Sequence, residues 1–177
     1  LTFAGYDTGA LAKEYGTPLM LMDEALVRSR CREYKNAMAS HLPAGSKPLY
    51  ASKAFAVKRI YEIMKEENMG VDVVSPGELY TAVKAGFPME NAYFHGSNKT
   101  DSDIAYAMDC GVGCFVADNR EELLSMLIVL KQDNKQIAEL LAIAPRSVLM
   151  LRHRFRQKIG MDTEFSLENF IEELQAD

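Results

Sequence analysis

The chain has 177 residues, a net charge of -5 and a hydrophobic content of 48%, the profile of one ordinary globular domain or one and a half small ones. No apolar run approaches the roughly 18 to 20 residues that span a bilayer, and the N-terminus lacks the basic region and apolar core of a signal peptide, so a cytoplasmic chain is expected. Cys31, Cys110 and Cys114 are odd in number and come without paired histidines, which argues against a disulfide framework and a zinc site and for buried thiols. The first residue is Leu1 rather than methionine, which suggests a fragment.

Asp7 or Thr8 caps a short helix over residues 7–15 that Gly16 ends. Residues 19–22 form a short apolar strand, after which Asp23 caps a helix whose apolar positions Leu26, Cys31, Tyr34 and Met38 keep an approximate three-to-four spacing. A turn at 43–46 leads to a strand at 48–52. Helix 56–68, strand 70–74, helix 76–85 stopped by Gly86, strand 92–95, helix 101–110 and strand 113–117 follow. This alternation calls for a parallel sheet with helical crossovers.

The strand at 48–52 delivers Lys53 between small residues. A lysine whose ammonium is partly desolvated by a pocket loses its proton more easily and can hold an aldehyde as a Schiff base, whereas a lysine at a strand end is by itself more often a solvated amine. Other residues at or just past strand ends are Asp72, Ser75 and His95, and in a (β/α) barrel the loops after the strands converge on one rim. Asp72 reads equally as a turn residue that caps the next helix, His95 as a satisfied rim histidine, and Ala51 as core packing.

Several stretches occur in a fixed order. They are Tyr15-Gly16-Thr17-Pro18-Leu19, Tyr50-Ala51-Ser52-Lys53-Ala54, the run from Gly70 to Leu79, Ala85-Gly86-Phe87-Pro88, the run Phe94-His95-Gly96-Ser97-Asn98-Lys99-Thr100, and Val116-Ala117-Asp118-Asn119. In that order they resemble the N-terminal part of the diaminopimelate decarboxylase family. Ornithine and arginine decarboxylases share parts of the pattern. The resemblance implies an α/β fold, a partial (β/α) barrel of the alanine racemase type over residues 1–123, with pyridoxal phosphate as cofactor. It makes Lys53 the catalytic, cofactor-bearing lysine, sets Asp72 beside it where a carboxylate biases its proton balance, and gives Ala51 and His95 to cofactor binding. The implied reaction is decarboxylation of a small diamino dicarboxylic acid in lysine biosynthesis, with a homodimer as the implied assembly. A full member also needs later barrel strands, a glycine-rich phosphate loop and a C-terminal β-domain. The chain has none of these, so it is expected to be inactive alone.

From about Leu124 the alternation gives way to helical patterns at 123–130 and 134–141, then a third helix opened by Pro145. Val148, Leu151, Phe155 and Ile159 keep helical period, which disfavours a rival barrel strand at 148–151 ending on Arg152. Arg146, Arg152, Arg154, Arg156 and Lys158 make this helix basic. The tail, residues 124–177, resembles the helix-turn-helix of LuxR-type regulators through Ile137-Ala138, Ser147-Val148 and Lys158-Ile159-Gly160. That implies a small all-α module that reads duplex DNA with Arg146, Ser147, Met150 and Arg154, against the plain alternative of a solvated basic face. A DNA-binding regulator is thus the second functional reading. A closing helix at 162–175, capped by Ser166, completes the expectations.

Overall fold

The computed structural model describes residues 1–97, 99–159 and 166. A hairpin that the sequence patterns do not signal comes first: β1 (Thr2–Phe3) pairs antiparallel with β2 (Tyr6–Asp7) across Ala4 and Gly5, whose φ angles of 51° and 85° suit a tight two-residue turn. Helix α1 (Thr8–Tyr15) is capped by Asp7, whose carboxylate accepts the Ala10 N–H, and ends at Gly16. The strand expected at 19–22 does not form, because this extended segment has no ladder partner. Residue spacing alone cannot supply one.

Helix α2 (Glu24–His41) is capped by Asp23 as expected, yet its apolar stripe is mostly not core. Cys31 is buried, whereas Leu26 and Tyr34 are 54% and 63% exposed. The helix docks through Cys31 and Val27 and, beyond them, through charge. Glu67 is buried and receives Arg32 Nε at 2.9 Å, Arg32 Nη2 at 2.7 Å and Arg28 Nη1 at 3.1 Å, while Lys35 Nζ reaches its backbone oxygen at 2.7 Å. Arg32, and then Arg28, hold the Glu67 carboxyl down at about 2.

The central sheet is parallel, in the order β3 (Leu49–Ala51), β4 (Gly70–Val73), β5 (Ala92–Phe94), β6 (Cys114–Phe115). The crossovers are α3 (Lys58–Glu66), α4 (Pro76–Lys84) and α5 (Asp101–Asp109). Successive strand residues face opposite ways, so register sorts the sheet into two faces. Tyr50, Val71 and Ala92 share one row, and Val73, Phe94 and Phe115 another. These rows pack with Ile60, Ile63 and Met64 of α3, Leu79 of α4 and Ala107 of α5 into the main core. The opposite face carries the row Ala51, Asp72, Tyr93 and Cys114, none of which is fully buried.

Beyond β6, α6 (Arg120–Val129), α7 (Asn134–Leu140) and α8 (Pro145–Ile159) follow. Position 123 therefore lies inside α6, which packs on α5 on one side and α8 on the other. Leu124, Leu127, Ile128, Ile137, Ala138 and Val148 form a second core. Residues 148–151 are helical, as their spacing predicts. The closing helix expected at 162–175 lies outside the described residues except Ser166, which is not helical. Among the described residues no helix is long and apolar enough to cross a membrane, and no cluster of metal-binding side chains occurs. Of the three cysteines, all free thiols, only Cys31 is buried and Cys110 and Cys114 are half-buried. That corrects the expectation of three buried ones.

Candidate active site

Lys53 sits in a single 3-10 turn, Ser52–Ala54, directly after β3, and this turn lies against β4. Its neighbour Ser52 is fully buried and anchors the turn. Burial pushes the adjoining Tyr61 hydroxyl up, with the Ser52 hydroxyl acting in the opposite sense, and neither oxygen has a hydrogen bond of ordinary geometry. Lys53 itself is exposed, and no hydrogen bond or ion pair among the described residues engages its amine. An anchored backbone thus presents an uncommitted amine.

Asp72 lies within β4 rather than past its end, paired in register with Ala51 on one side and Tyr93 on the other. The helix-cap alternative for Asp72 falls away, since Ser75 caps α4 by accepting the Glu78 N–H at 3.3 Å. The Asp72 carboxylate is half-buried on the sheet face away from the main core, at the level of Ala51 and two residues short of Lys53. Ala51 is half-buried on this same face, and not packed in the core.

His95 follows β5 and extends the ladder by one bond, its N–H donating to the Val73 oxygen at 2.8 Å. Its ring Nε2 lies 3.6 Å from Asp118 Oδ1, and both side chains are partly exposed. Asp118 belongs to the stretch Val116-Ala117-Asp118-Asn119, but spacing gives no reason to pair it with His95, because contact depends on β5 and β6 being neighbours. Gly96 has φ 123°, and a Cβ there would sit 3.4 Å from the Val74 oxygen, so the β4 and β5 loops approach closely. Two rim loops use the same closure. Glu78 Oε2 accepts the Val74 N–H at 2.6 Å, and Glu122 Oε2 accepts the Asp118 N–H at 2.7 Å while Asn119 caps α6.

An open cleft of about 550 Å³ lies between α2 and β3, lined among others by Ala51 and Ala54 but not by Lys53. In the tail, Arg146, Met150 and Arg154 are exposed one helical turn apart on α8, with Ser147 half-buried beside them. That face is far along the chain from the strand ends and shares no residue with them.

The class defined by this geometry is a stretch of (β/α) barrel with a free amine, a carboxylate and a histidine at or near the carboxyl ends of successive parallel strands. Comparison with known proteins makes the class specific. Residues 24–176 match the family model of the pyridoxal-dependent decarboxylase, pyridoxal binding domain, and the chain belongs to that family. It is 42% identical over 145 residues to diaminopimelate decarboxylase of Halalkalibacterium halodurans, covering 82% of this chain and 33% of that protein. With the Staphylococcus aureus enzyme of the same name it shares 36% over 169 residues, or 94% of this chain and 38% of the relative. The crystal structure of diaminopimelate decarboxylase from M. jannaschii in co-complex with L-lysine superposes with a TM-score of 0.60 at 30% identity, over 72% of this chain and 30% of that one. The chain thus spans about a third of the length of these relatives. The family match runs on through the helical tail, where the sequence patterns suggested a separate module.

Proposed function

We propose that this chain supplies the cofactor-bearing rim of a diaminopimelate decarboxylase, with Lys53 as the covalent attachment point for pyridoxal phosphate. The observation that carries this reading is the uncommitted Lys53 amine, held on an anchored turn beside the strand that bears Asp72, in a chain of the pyridoxal-binding family. The residues present suit such a group: a free amine to bond its carbonyl carbon, small Ala51 to leave space for a flat ring, and a carboxylate to hold positive charge near the amine. When bound, the cofactor supplies an electron sink for the carbon that loses carbon dioxide. Within this reading the protein's own work is local. Lys53 would hold the cofactor covalently and release it to the substrate amine, Asp72 would stabilise the cationic form of the Lys53 amine, and His95, oriented by Asp118, would stand on the same rim to contact it. The substrate is a small diamino dicarboxylic acid; the L-lysine bound in the M. jannaschii relative is a diamino acid with a single carboxyl group, as expected of a product that has lost carbon dioxide. Groups that grip the far end of the substrate belong to the two-thirds of the relatives' length that this chain does not span, or to a second subunit of a homodimer.

Incubation with pyridoxal phosphate followed by borohydride reduction tests this directly. One pyridoxyl group is expected on Lys53, absent in Lys53→Ala and weakened in Asp72→Ala. Labelling spread over surface lysines would overturn the assignment.

A second reading treats α7 and α8 as a DNA-binding helix-turn-helix, supported by the exposed line Arg146, Met150 and Arg154. Its test is retardation of duplex DNA that falls steeply with salt and is lost in an Arg146→Ala, Arg154→Ala double variant. Retention of DNA by the double variant would remove it.

A further inference from the structure

Lys99 lies deep in the rim, its side chain 1% exposed, and it has no part in the proposed chemistry. Its amine makes three connections at once. It donates to the Gly96 oxygen, donates to the Val116 oxygen at 2.9 Å, and pairs with Glu122 Oε1 at 2.7 Å. The Phe94 ring lies beneath it, with the centroid 5.6 Å from Nζ. Glu122, 8% exposed, uses its other oxygen to accept the Asp118 N–H.

These partners bear on two loops. Gly96 follows His95 at the end of β5, and Val116 precedes Asp118 at the end of β6. One buried ammonium therefore ties the loop behind His95 to the loop before Asp118, and the carboxylate that neutralises it grips Asp118 by its backbone. A stabilising pair would need no such division of bonds. Burying two charges costs desolvation, and an ion pair in this setting is weak support for stability compared with an apolar substitute. What it delivers here is geometry.

We infer that Lys99 and Glu122 form a buried positioning pair that sets His95 against Asp118 at the rim. The link to catalysis rests on the reading that His95 flanks the cofactor, whereas the positioning itself does not. Lys99→Met with Glu122→Gln removes both charges, keeps an acceptor for the Asp118 N–H, and leaves no buried charge unpaired.

The test reads the His95 ring by NMR in the full chain, with its signals assigned by their loss in His95→Asn. In the parent chain Asp118→Asn is expected to shift the His95 ring resonances. In the Lys99→Met, Glu122→Gln background, folded by its melting curve, that response is expected to be lost, and in Lys99→Arg to be largely retained. An undiminished response in the charge-free background would overturn the proposal and leave the pair a packing element. Should that background fail to fold, Glu122→Gln alone is read by the same criterion. No cofactor enters the measurement, so a failure of Lys53 to take up pyridoxal phosphate would defeat the earlier reading and leave this one standing.

Discussion

The sheet layer and the helical tail bury apolar surface in opposite ways. In the sheet, strand alternation sends Val71, Val73, Ala92 and Phe94 into one core and leaves Ala51, Asp72 and Tyr93 on the other face, so one element serves both packing and chemistry. In the tail, three short helices close a smaller core around Leu124, Ile137 and Val148; Arg146 and Arg154 face outward, whereas Arg152 and the Glu122 side chain are buried. The difference teaches that polar groups on a strand's second face are held by register to a fixed neighbour, whereas those on an exposed helix face are placed only relative to their own axis. Candidate catalytic groups accordingly sit on the sheet side.

The comparison breaks most sharply at Phe94, fully buried and edge-on to Phe115 at 6.1 Å. Phe94→Ala should cost about 3–5 kcal/mol in urea unfolding, because it empties the core and removes the support under Lys99. Ile137→Ala, in the tail core, should cost less, about 2–3 kcal/mol, since a small helical cluster can close around the gap. An equal loss would show that the tail core closes around a gap no better than the sheet core does. Asp133 caps α7 through bonds to the Lys135 and Gln136 N–H groups at 2.8 Å, and Asp133→Ala should cost about 1 kcal/mol by the same measurement.

Acid sharpens the contrast further. The Glu67 carboxyl is held below its ordinary 4.5, at about 2, by Arg32 and Arg28, so its folded value lies under its unfolded one. Its contribution is complete above about pH 4.5 and is lost as pH falls toward 2. Stability measured across that window should decline in the parent chain and decline less in Glu67→Gln, with the effect on the docking of α2 and none on the tail core. The smallest effect is expected at the site itself. Lys53→Ala should alter unfolding by no more than about 0.5 kcal/mol, as for an exposed residue without partners, even as it abolishes cofactor labelling. A large loss of stability would mean that Lys53 is part of the framework.

Much of this was legible in the chain. The βα alternation, the caps at Asp7, Asp23 and the turn before Lys53, and the helical character of 145–159 follow from spacing and local chemistry, which act over a few residues. The hairpin at the N-terminus escaped because its strands are two residues long, too short to show a period. The strand expected at 19–22 failed because a strand needs a neighbour, and local pattern does not provide one. The apolar stripe on α2 misled for a related reason: three-to-four spacing reports a face, but Glu67 and its arginine partners decide which face docks.

At the candidate site the sequence by itself determined which residue types stand at the strand ends, Lys53 and His95 among them, because motif order and turn chemistry are written locally. Only the tertiary structure decided that Asp72 shares a row with Ala51, that Asp118 meets His95, and that Lys99 is buried against Glu122. Those relations cross between strands and loops separated in sequence by roughly 20 residues, and strand pairing is what brings such distant positions into contact.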